Sequence, residues 1–259
     1  MTELMGMLYT RRFAPRRYLQ QHCSGAVAAD ERVHTRFAVR ELRNLGRRFE
    51  RALEFGCGPT VHHALPLVPF APRIEMADDH PANLEEIQSW LDASPLAFDW
   101  TPCVRALLQI EADLAPGEAI ESPDERVRHM RRAIGPLHLG DLSADPPLAT
   151  VGAFDLVASY DCLERAAVDV GGWFAALSRL AELVRPGGFL LLGAMRRAQT
   201  CRVLDLEVPV VSVDEHDFAR CLPWLGFPSA TTLIEVAPVD ELAEQGFDSV
   251  CCVLARRAK

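Results

Sequence analysis

The sequence predicts an α/β fold of the Rossmann-like type: a mostly parallel sheet of seven strands, an antiparallel last strand, and helices on both faces. Apolar strand-like runs alternate with amphipathic helical segments along most of the 259 residues, as in sheets whose strands are joined by crossover helices. The run at 51–55 leads into Gly56 and Gly58, the pattern of a first strand and its tight turn in a nucleotide-binding sheet. Two apolar runs near the chain end are joined by a loop with Pro238 and Gly246, which predicts a hairpin and hence an antiparallel last strand.

Composition limits the class of protein. The chain is 49% hydrophobic and 24% charged, which suits one large core. Its formal net charge of −9 gives no reason to expect a nucleic-acid partner. No apolar run reaches the roughly 18 residues of a membrane span, and the opening residues lack the pattern of a signal peptide. We therefore expect a cytoplasmic protein with neither a nucleic-acid nor a membrane partner. Monomer and dimer both remain open.

The first fifty residues predict a helical cap. Pro15 is expected to start a helix, because proline fits the first helical turn. A second helix is predicted at 30–48, where apolar residues recur at near-helical spacing. Since this segment precedes the first strand, we expect residues 1–50 to form a lid over the carboxyl edge of the sheet. Residues 51–259 are expected to form one compact ligand-binding domain.

The rest of the chain alternates helices and strands. Proline at the first turn and glutamates soon after mark the helix that begins at Pro81, and Pro186-Gly187-Gly188 is a helix stop signal. The predicted helices cover residues 81–93, 102–112, 123–134, 173–184 and 214–225. The predicted strands cover residues 51–55, 73–77, 137–140, 154–160, 189–194, 230–236 and 249–255.

The eight cysteines carry no metal or disulfide signature. They are scattered and form no C-x-x-C pair, so we expect reduced thiols that pack as small hydrophobic side chains. His62 and His63 are adjacent but lack ligand residues at helical spacing. We therefore expect no structural zinc and no other metal.

The glycine turn favours one type of ligand. The dinucleotide fingerprint G-x-G-x-x-G has a third glycine, but that position is Val61 here. A phosphate-bearing ligand would favour a basic cluster beside the turn, and the sequence has no such cluster there. S-adenosylmethionine (SAM) meets these conditions, because its amino-acid tail needs hydrogen bonds rather than a phosphate cradle. An NAD-type oxidoreductase is the alternative that the missing glycine disfavours.

Acidic residues stand at the ends of predicted strands, where open parallel sheets bind their ligands. Four strand ends carry a carboxylate, at Glu54, Asp78, Asp141 and Asp161. Asp78 follows Gly56 by 22 residues, and a carboxylate there can accept hydrogen bonds from both hydroxyls of a ribose. Asp141 can accept a hydrogen bond from an adenine amino group. Together these positions predict a ligand with a nucleoside part.

Several segments carry a resemblance to a known family. The most specific are Gly58-Pro59-Thr60 in the glycine turn and Ala-Phe-Asp-Trp-Thr-Pro at 97–102. Further segments are Pro-Arg-Arg-Tyr-Leu at 15–19, Gly-Asp at 140–141 and Arg-Pro-Gly-Gly-Phe at 185–189. The chain resembles class I SAM-dependent methyltransferases and, more narrowly, the family that contains nicotinamide, phenylethanolamine and thioether methyltransferases. The resemblance spans roughly residues 12–257.

The resemblance implies a class I methyltransferase fold and a site for SAM, with S-adenosylhomocysteine as the product. Residues 51–259 then form the SAM-binding domain. Tyr18 is implied to close over the carboxylate of the cofactor, and Tyr160 to lie beside its sulfonium. The implied cofactor-binding residues are Tyr18, Glu54, Gly56, Gly58, Thr60, His62, Asp78, Asp79, Asn83, Asp141, Leu142 and Tyr160.

Three positions depart from the family. Its second lid tyrosine falls at Cys23, and its tyrosine after the glycine turn falls at His62. The carboxylate that helps to hold nicotinamide falls at Ala194. Nicotinamide is therefore not the expected substrate.

Methyl transfer from SAM requires the acceptor to be aligned with the methyl group, and it does not require a nucleophilic side chain of the protein. Effective molarities of about 10⁵ M or more are known for well-oriented reactions, so orientation and desolvation supply most of the acceleration. An amine acceptor must be neutral, so a side chain that takes its proton is expected. Glu164 is the first catalytic candidate, because the family places an acid just past the fourth strand. Asp161 and His62 are the other candidates.

Arg196 and Arg197 follow the fifth strand and have two interpretations. They can clamp an anionic group of the substrate, or they can form a solvated loop pair. The substrate-binding candidates are Tyr18, Glu164, Arg196 and Arg197. Three further residues are expected to be structural, with Trp173 and Trp224 in the core and Asp214 as a helix cap.

The sequence thus predicts a small-molecule methyltransferase. We expect SAM as the methyl donor and a nitrogen acceptor, as an amine, a guanidine or an N-heterocycle. Methyl transfer to oxygen, sulfur or carbon remains open, as does a SAM-binding protein without catalysis.

Overall fold

The structure is a computed structural model, and it describes residues 13–24, 27–149 and 154–259. The chain divides into two compact units, an N-terminal unit of Ala14–Leu139 and a C-terminal unit that includes Gly140–Lys259. Among the described residues, none of the helices has the length and apolar character needed to cross a membrane.

The N-terminal unit contains five α-helices, one short 3₁₀ helix and three strands among its described residues. The strands β1 and β2 run parallel, as do β2 and β3. Every residue of β1 and β2 is buried, which is typical of a parallel sheet covered on both faces. In chain order the elements are α1 Pro15–His22, α2 Ala29–Leu45, β1 Ala52–Phe55, β2 Ile74–Asp78, α3 Pro81–Leu91, α4 Thr101–Leu114, α5 Pro123–Ala133 and β3 Ile134–Leu139.

The first described strand of the C-terminal unit is β4, which pairs in parallel with β5. The strand β9 is antiparallel to both of its neighbours, β5 and β8. The strands β6 and β7 form a separate antiparallel hairpin. In chain order the elements are β4 Phe154–Tyr160, α6 Val170–Glu182, β5 Val184–Met195, β6 Thr200–Val203, β7 Leu206–Pro209, α7 Glu215–Cys221, β8 Thr232–Pro238 and β9 Ser249–Arg256.

The main sheet has seven strands in the order β3-β2-β1-β4-β5-β9-β8. Its parallel strands and its antiparallel last strand confirm the predicted fold class. The predicted strand at 154–160 matches β4 at both ends. The β6–β7 hairpin was not predicted, since its four-residue strands are too short to show a clear alternation of apolar and polar residues.

Three local predictions were wrong. The strand β5 begins at Val184 rather than at residue 189, so it runs through Pro186-Gly187-Gly188. Its register against β4 shifts there, and a Cβ at Gly188 would lie 2.9 Å from the carbonyl oxygen of Arg185, so only glycine fits. The helix predicted at 214–225 ends at Cys221 and continues as a 3₁₀ turn, Leu222–Leu225. Trp224 in that turn is 86% exposed, not in the core.

Other predictions of structural roles were confirmed. Trp173 is fully buried and meets the Phe218 ring edge-on, with the ring centroids 5.3 Å apart. Asp214 caps α7, because its side chain accepts a hydrogen bond from the His216 N–H at 2.9 Å.

None of the eight cysteines, all of which lie in the described residues, is in a disulfide. Five are buried, and burial raises the pKa of the Cys251 thiol to about 12. Cys23, Cys162 and Cys221 are only partly buried.

A buried ion pair joins α4 and α5. Both Arg126 and Glu111 are at least nine-tenths buried. Two parallel hydrogen bonds of 2.7 and 2.8 Å connect the guanidinium and the carboxylate, and Arg126 also donates to the carbonyl oxygen of Leu65 at 3.3 Å. Such a pair is satisfied only while both partners are present.

Replacing Arg126 by leucine leaves the Glu111 carboxylate buried and unpaired. We expect Arg126→Leu to lower the free energy of unfolding by about 3–5 kcal/mol, measured by urea denaturation. Arg105→Leu, an exposed change on α4, is the control and should stay within about 0.5 kcal/mol of the wild type. Equal stability of the two variants would contradict the assignment.

Candidate active site

The glycine turn after β1 has the backbone conformation that glycine favours. Gly56 has φ 74° and Gly58 has φ 58°, which side chains rarely tolerate. A Cβ at Gly58 would meet no atom within 4 Å, so there is open space beside the turn. Thr60 closes the turn from within, since its hydroxyl donates to the carbonyl oxygen of Cys57 at 2.7 Å. The turn therefore presents backbone to a ligand and not side chains.

Asp78 at the end of β2 connects this turn to the start of α3. Its Oδ2 accepts a hydrogen bond from the Gly58 N–H at 2.8 Å. Its Oδ1 accepts from the His80 N–H at 3.0 Å and from the Asn83 side-chain amide at 2.8 Å. The Oδ1 of Asn83 is buried and has no hydrogen-bond partner. A buried acceptor of this kind fits a hydroxyl donor such as a ribose. The neighbouring Asp79 is exposed.

A cluster of charged side chains flanks the turn. The Glu31 carboxylate lies 3.0 Å from His62 Nε2 and 2.6 Å from His63 Nε2. His63 Nδ1 lies 3.1 Å from Oε1 of Glu54, which is almost fully buried. His62 and Glu54 were predicted to bind the cofactor. Glu31 and His63 were not predicted, because Glu31 lies about thirty residues upstream of the histidines that it contacts.

Glu31 and His63 both have shifted pKa values. Burial by itself would raise the pKa of Glu31, but the charges and hydrogen bonds of His62 and His63 hold it well below its usual range. Burial would likewise lower the pKa of His63, but Glu31 and Glu54 raise it well above its usual range. The imidazolium of His63 thus lies between two carboxylates.

Aromatic side chains surround this region of the N-terminal unit. The His62 ring stacks on Trp100, with centroids 5.5 Å apart and planes at 17°. Trp100 belongs to the segment at 97–102 that carries the family resemblance. The Tyr18 ring lies 4.7 Å from the ring of His22. His62 Nδ1 is buried without a hydrogen-bond partner, so it can still bind a ligand.

In the C-terminal unit, Asp141 is exposed, and its carboxylate accepts from both the N–H and the hydroxyl of Ser143, at 2.7 and 2.8 Å. Leu142 is buried, and its carbonyl oxygen accepts from Arg179 at 2.9 Å. Tyr160 is the buried last residue of β4. Asp141 and Leu142 follow β3, and Tyr160 ends β4, as the sequence predicted.

Glu164 is a fully buried carboxyl group just past β4. Its Oε1 accepts a hydrogen bond from the Met195 N–H at 2.7 Å, at the end of β5. Its Oε2 is buried and has no hydrogen-bond partner. Burial, and then the negative charge of Asp161, raise the pKa of Glu164 to about 8. Asp161 follows β4 in a left-handed conformation, φ 45°.

Arg196 and Arg197 are engaged with carboxylates at the start of α7. Arg196 makes two hydrogen bonds to Glu215, at 2.6 and 2.9 Å, and lowers the pKa of that carboxyl to about 2. Arg197 donates twice to Asp214, at 3.0 and 3.1 Å. Of the two interpretations, this geometry favours a loop pair with a structural role over an anion clamp. The capping residues of α7 were visible in the sequence, but their pairing with these arginines was not.

Comparison with known proteins agrees with this geometry. The fold and the site define the class I SAM-dependent methyltransferases. A sequence model of the NNMT/PNMT/TEMT family matches residues 3–257, and the chain belongs to this family. It is a SAM-dependent N-methyltransferase that acts on small molecules.

Two relatives and one solved structure illustrate the similarity. Indolethylamine N-methyltransferase of Mus musculus is 32% identical over 195 residues, 71% of this chain and 70% of the relative. Nicotinamide N-methyltransferase of Homo sapiens is 28% identical, with the same coverage of each chain. The SAM-bound magnesium protoporphyrin IX methyltransferase of Synechocystis PCC 6803 has a TM-score of 0.60 at 15% identity, covering 98% of this chain and 97% of that one, which shows the shared fold.

The residues of the N-terminal unit fit SAM. The open glycine turn can take the methionine end, and the unpartnered Asn83 Oδ1 can accept from a ribose hydroxyl. We expect Asn83→Ala to weaken SAM binding about tenfold, since one hydrogen bond contributes about 1–1.5 kcal/mol.

Isothermal titration calorimetry with SAM measures this change. Glu85→Gln, an exposed substitution on the same helix, is the matched control and should bind SAM like the wild type. Unchanged SAM affinity in Asn83→Ala would remove this residue from the site.

Proposed function

We propose that the acceptor is an amine nitrogen and that Glu164 receives its proton. The observation that carries this proposal is the buried Oε2 of Glu164, which has no hydrogen-bond partner. A buried carboxylate oxygen without a partner is costly, and an N–H donor of a bound amine would satisfy it. The Met195 N–H fixes the other oxygen, so the carboxyl group offers one oxygen to the acceptor.

The proton affinity of Glu164 suits this role. An alkylamine is mostly protonated at neutral pH and must lose a proton before its lone pair can react. An ordinary glutamate, with a pKa of about 4.3, accepts that proton poorly. With a pKa of about 8, Glu164 approaches the proton affinity of the amine and can take the proton directly. When bound, SAM supplies an electrophilic methyl group on a positively charged sulfur.

Asp161 supports Glu164 electrostatically. Its negative charge disfavours ionisation of Glu164, and so makes the ionised form a stronger base. We assign Asp161 to this role and Glu164 to contact with the acceptor. Ala194 supports an amine over nicotinamide, because alanine stands where the family has the carboxylate that helps to hold nicotinamide.

The relatives narrow the acceptor class. Indolethylamine N-methyltransferase is named for an amine whose aromatic ring is carried on a short alkyl chain. We propose an acceptor of the same class, a primary or secondary arylalkyl amine. We also assign the protein to the cytoplasm, and its eight free thiols support a reducing compartment.

A mass-spectrometric screen with SAM tests the acceptor class. Arylalkyl amines, guanidines and N-heterocycles would be compared by the mass gain of one methyl group and by formation of S-adenosylhomocysteine. We expect turnover of amines to exceed that of nicotinamide. Methylation confined to N-heterocycles would overturn the proposal.

A second experiment tests Glu164. Glu164→Gln keeps the size of the side chain but cannot take a proton, so we expect kcat to fall by about 10²-fold or more with SAM affinity unchanged. Wild-type activity should rise with pH up to about 8, as Glu164 ionises, and the variant should lose this rise. The control is Glu182→Gln, at an exposed residue. Equal losses of turnover and SAM affinity would indicate a structural role.

A further inference from the structure

We propose that Glu31, His62 and His63 form a binding site for a divalent metal ion of the zinc type. One ligand atom from each of these residues lies within 4.8 Å of the others. The proposal adds a site that methyl transfer does not require, and it stands independently of the acceptor assignment.

The three side chains converge from two elements. Glu31 lies in the first turn of α2, and the histidines lie in the 3₁₀ helix His62–Ala64 that follows the glycine turn. Both Nε2 atoms approach the same carboxylate oxygen, at 3.0 and 2.6 Å. Two imidazole nitrogens and one carboxylate oxygen are a known zinc ligand set, with the fourth position left to water.

The distances need little adjustment. Zinc bonds of about 2.0–2.1 Å in a tetrahedral site place neighbouring ligand atoms about 3.3 Å apart. The present nitrogen–oxygen distances of 3.0 and 2.6 Å are shorter than this, as expected for hydrogen bonds, and the His63 side needs the larger change. A small outward rotation of these side chains makes room for the ion.

An outer carboxylate gives independent support. A metal-bound histidine usually donates its second ring N–H to a carboxylate, which fixes the tautomer and orients the ring. His63 has this arrangement, because its Nδ1 lies 3.1 Å from Oε1 of the buried Glu54. The two carboxylates of Glu31 and Glu54 together balance the charge of a divalent cation.

The rings are also held in place. His62 is 4% exposed, and Trp100 stacks on its face. A ligand that is fixed before the ion arrives loses little conformational freedom on binding. The cluster is therefore organised for an ion and not for a mobile surface contact.

A proton on either imidazole nitrogen competes with the metal for that nitrogen. On binding, Zn²⁺ forms bonds to the two imidazole nitrogens and the carboxylate oxygen, and the displaced proton passes to solvent. Zinc affinity must therefore rise with pH.

The test uses the full chain, free of any histidine tag and stripped with a chelator. Zn²⁺ is titrated calorimetrically in two buffers of different ionisation enthalpy, which reports proton release. Co²⁺ serves as a spectroscopic probe, since a tetrahedral site gives visible absorption bands. We expect one ion per chain, proton release on binding and the cobalt bands.

Variants locate the ion. Glu31→Gln and His62→Gln each remove one ligand, and zinc binding should weaken by at least about 100-fold. Glu54→Gln keeps all three ligands and should weaken binding by about 10–100-fold, the usual effect of an outer partner. Thermal unfolding without metal identifies any variant that fails to fold, and Glu54→Gln then remains as the second test.

Two matched controls complete the design. Glu41→Gln changes another glutamate of α2, and His138→Gln removes a histidine paired with Glu75 at 2.6 Å. Both should bind zinc like the wild type. Zinc binding that is equal in controls and cluster variants, or wild-type protein without proton release and cobalt bands, would overturn the proposal.

Discussion

The carboxylate of Asp78 is the constraint on which the cofactor side depends. One oxygen holds the glycine turn through the Gly58 N–H, and the other holds the first turn of α3 through His80 and Asn83. Because Asp78 ends a fully buried strand, these contacts are fixed by the sheet. The open backbone at the turn and the unpartnered amide oxygen of Asn83 both follow from this one anchor.

Buried ionisable side chains occur in three different electrostatic environments in the described part of this chain. Arg126 and Glu111 neutralise each other and serve stability. His63 shares its charge with two carboxylates, so it stays protonated despite burial. At Glu164, burial and the negative charge of Asp161 outweigh the opposing charge of Arg165, so the pKa of this carboxyl is raised. A carboxyl group without such compensation persists only where a ligand can satisfy it, which is why we place the amine there.

Local patterns predicted most of the elements. The apolar run of β4 and the proline that opens α3 were sufficient, because both signals are contained in a few consecutive residues. Long-range effects were not predictable. The register shift at Gly188 depends on the pairing of β5 with β4. Glu31 reaches His62 and His63 from α2, far upstream in the chain. The exposure of Trp224 follows from the 3₁₀ turn at Pro223, which ended the predicted helix early.

The candidate site was predictable in part for the same reason. The placement of Gly58, Asp78 and Asn83 follows from a strand–turn–helix order that is visible in the sequence. The partners of Arg196 and Arg197 are set by how α7 folds back on the end of β5, and spacing along the chain does not encode that contact.

The position of β9 between two strands has a practical consequence for chemical labelling. Cys251 and Cys252 lie in its middle and are paired on both sides. The thiolate is the reactive form of cysteine, and a thiol pKa of about 12 leaves almost none of it at neutral pH. Maleimide reagents therefore reach partly buried thiols such as Cys162 and Cys221 before those of the sheet, although burial also raises the pKa of Cys221, which lies at the end of α7. A fluorophore attached there would follow motions of that helix while the strands keep their native packing.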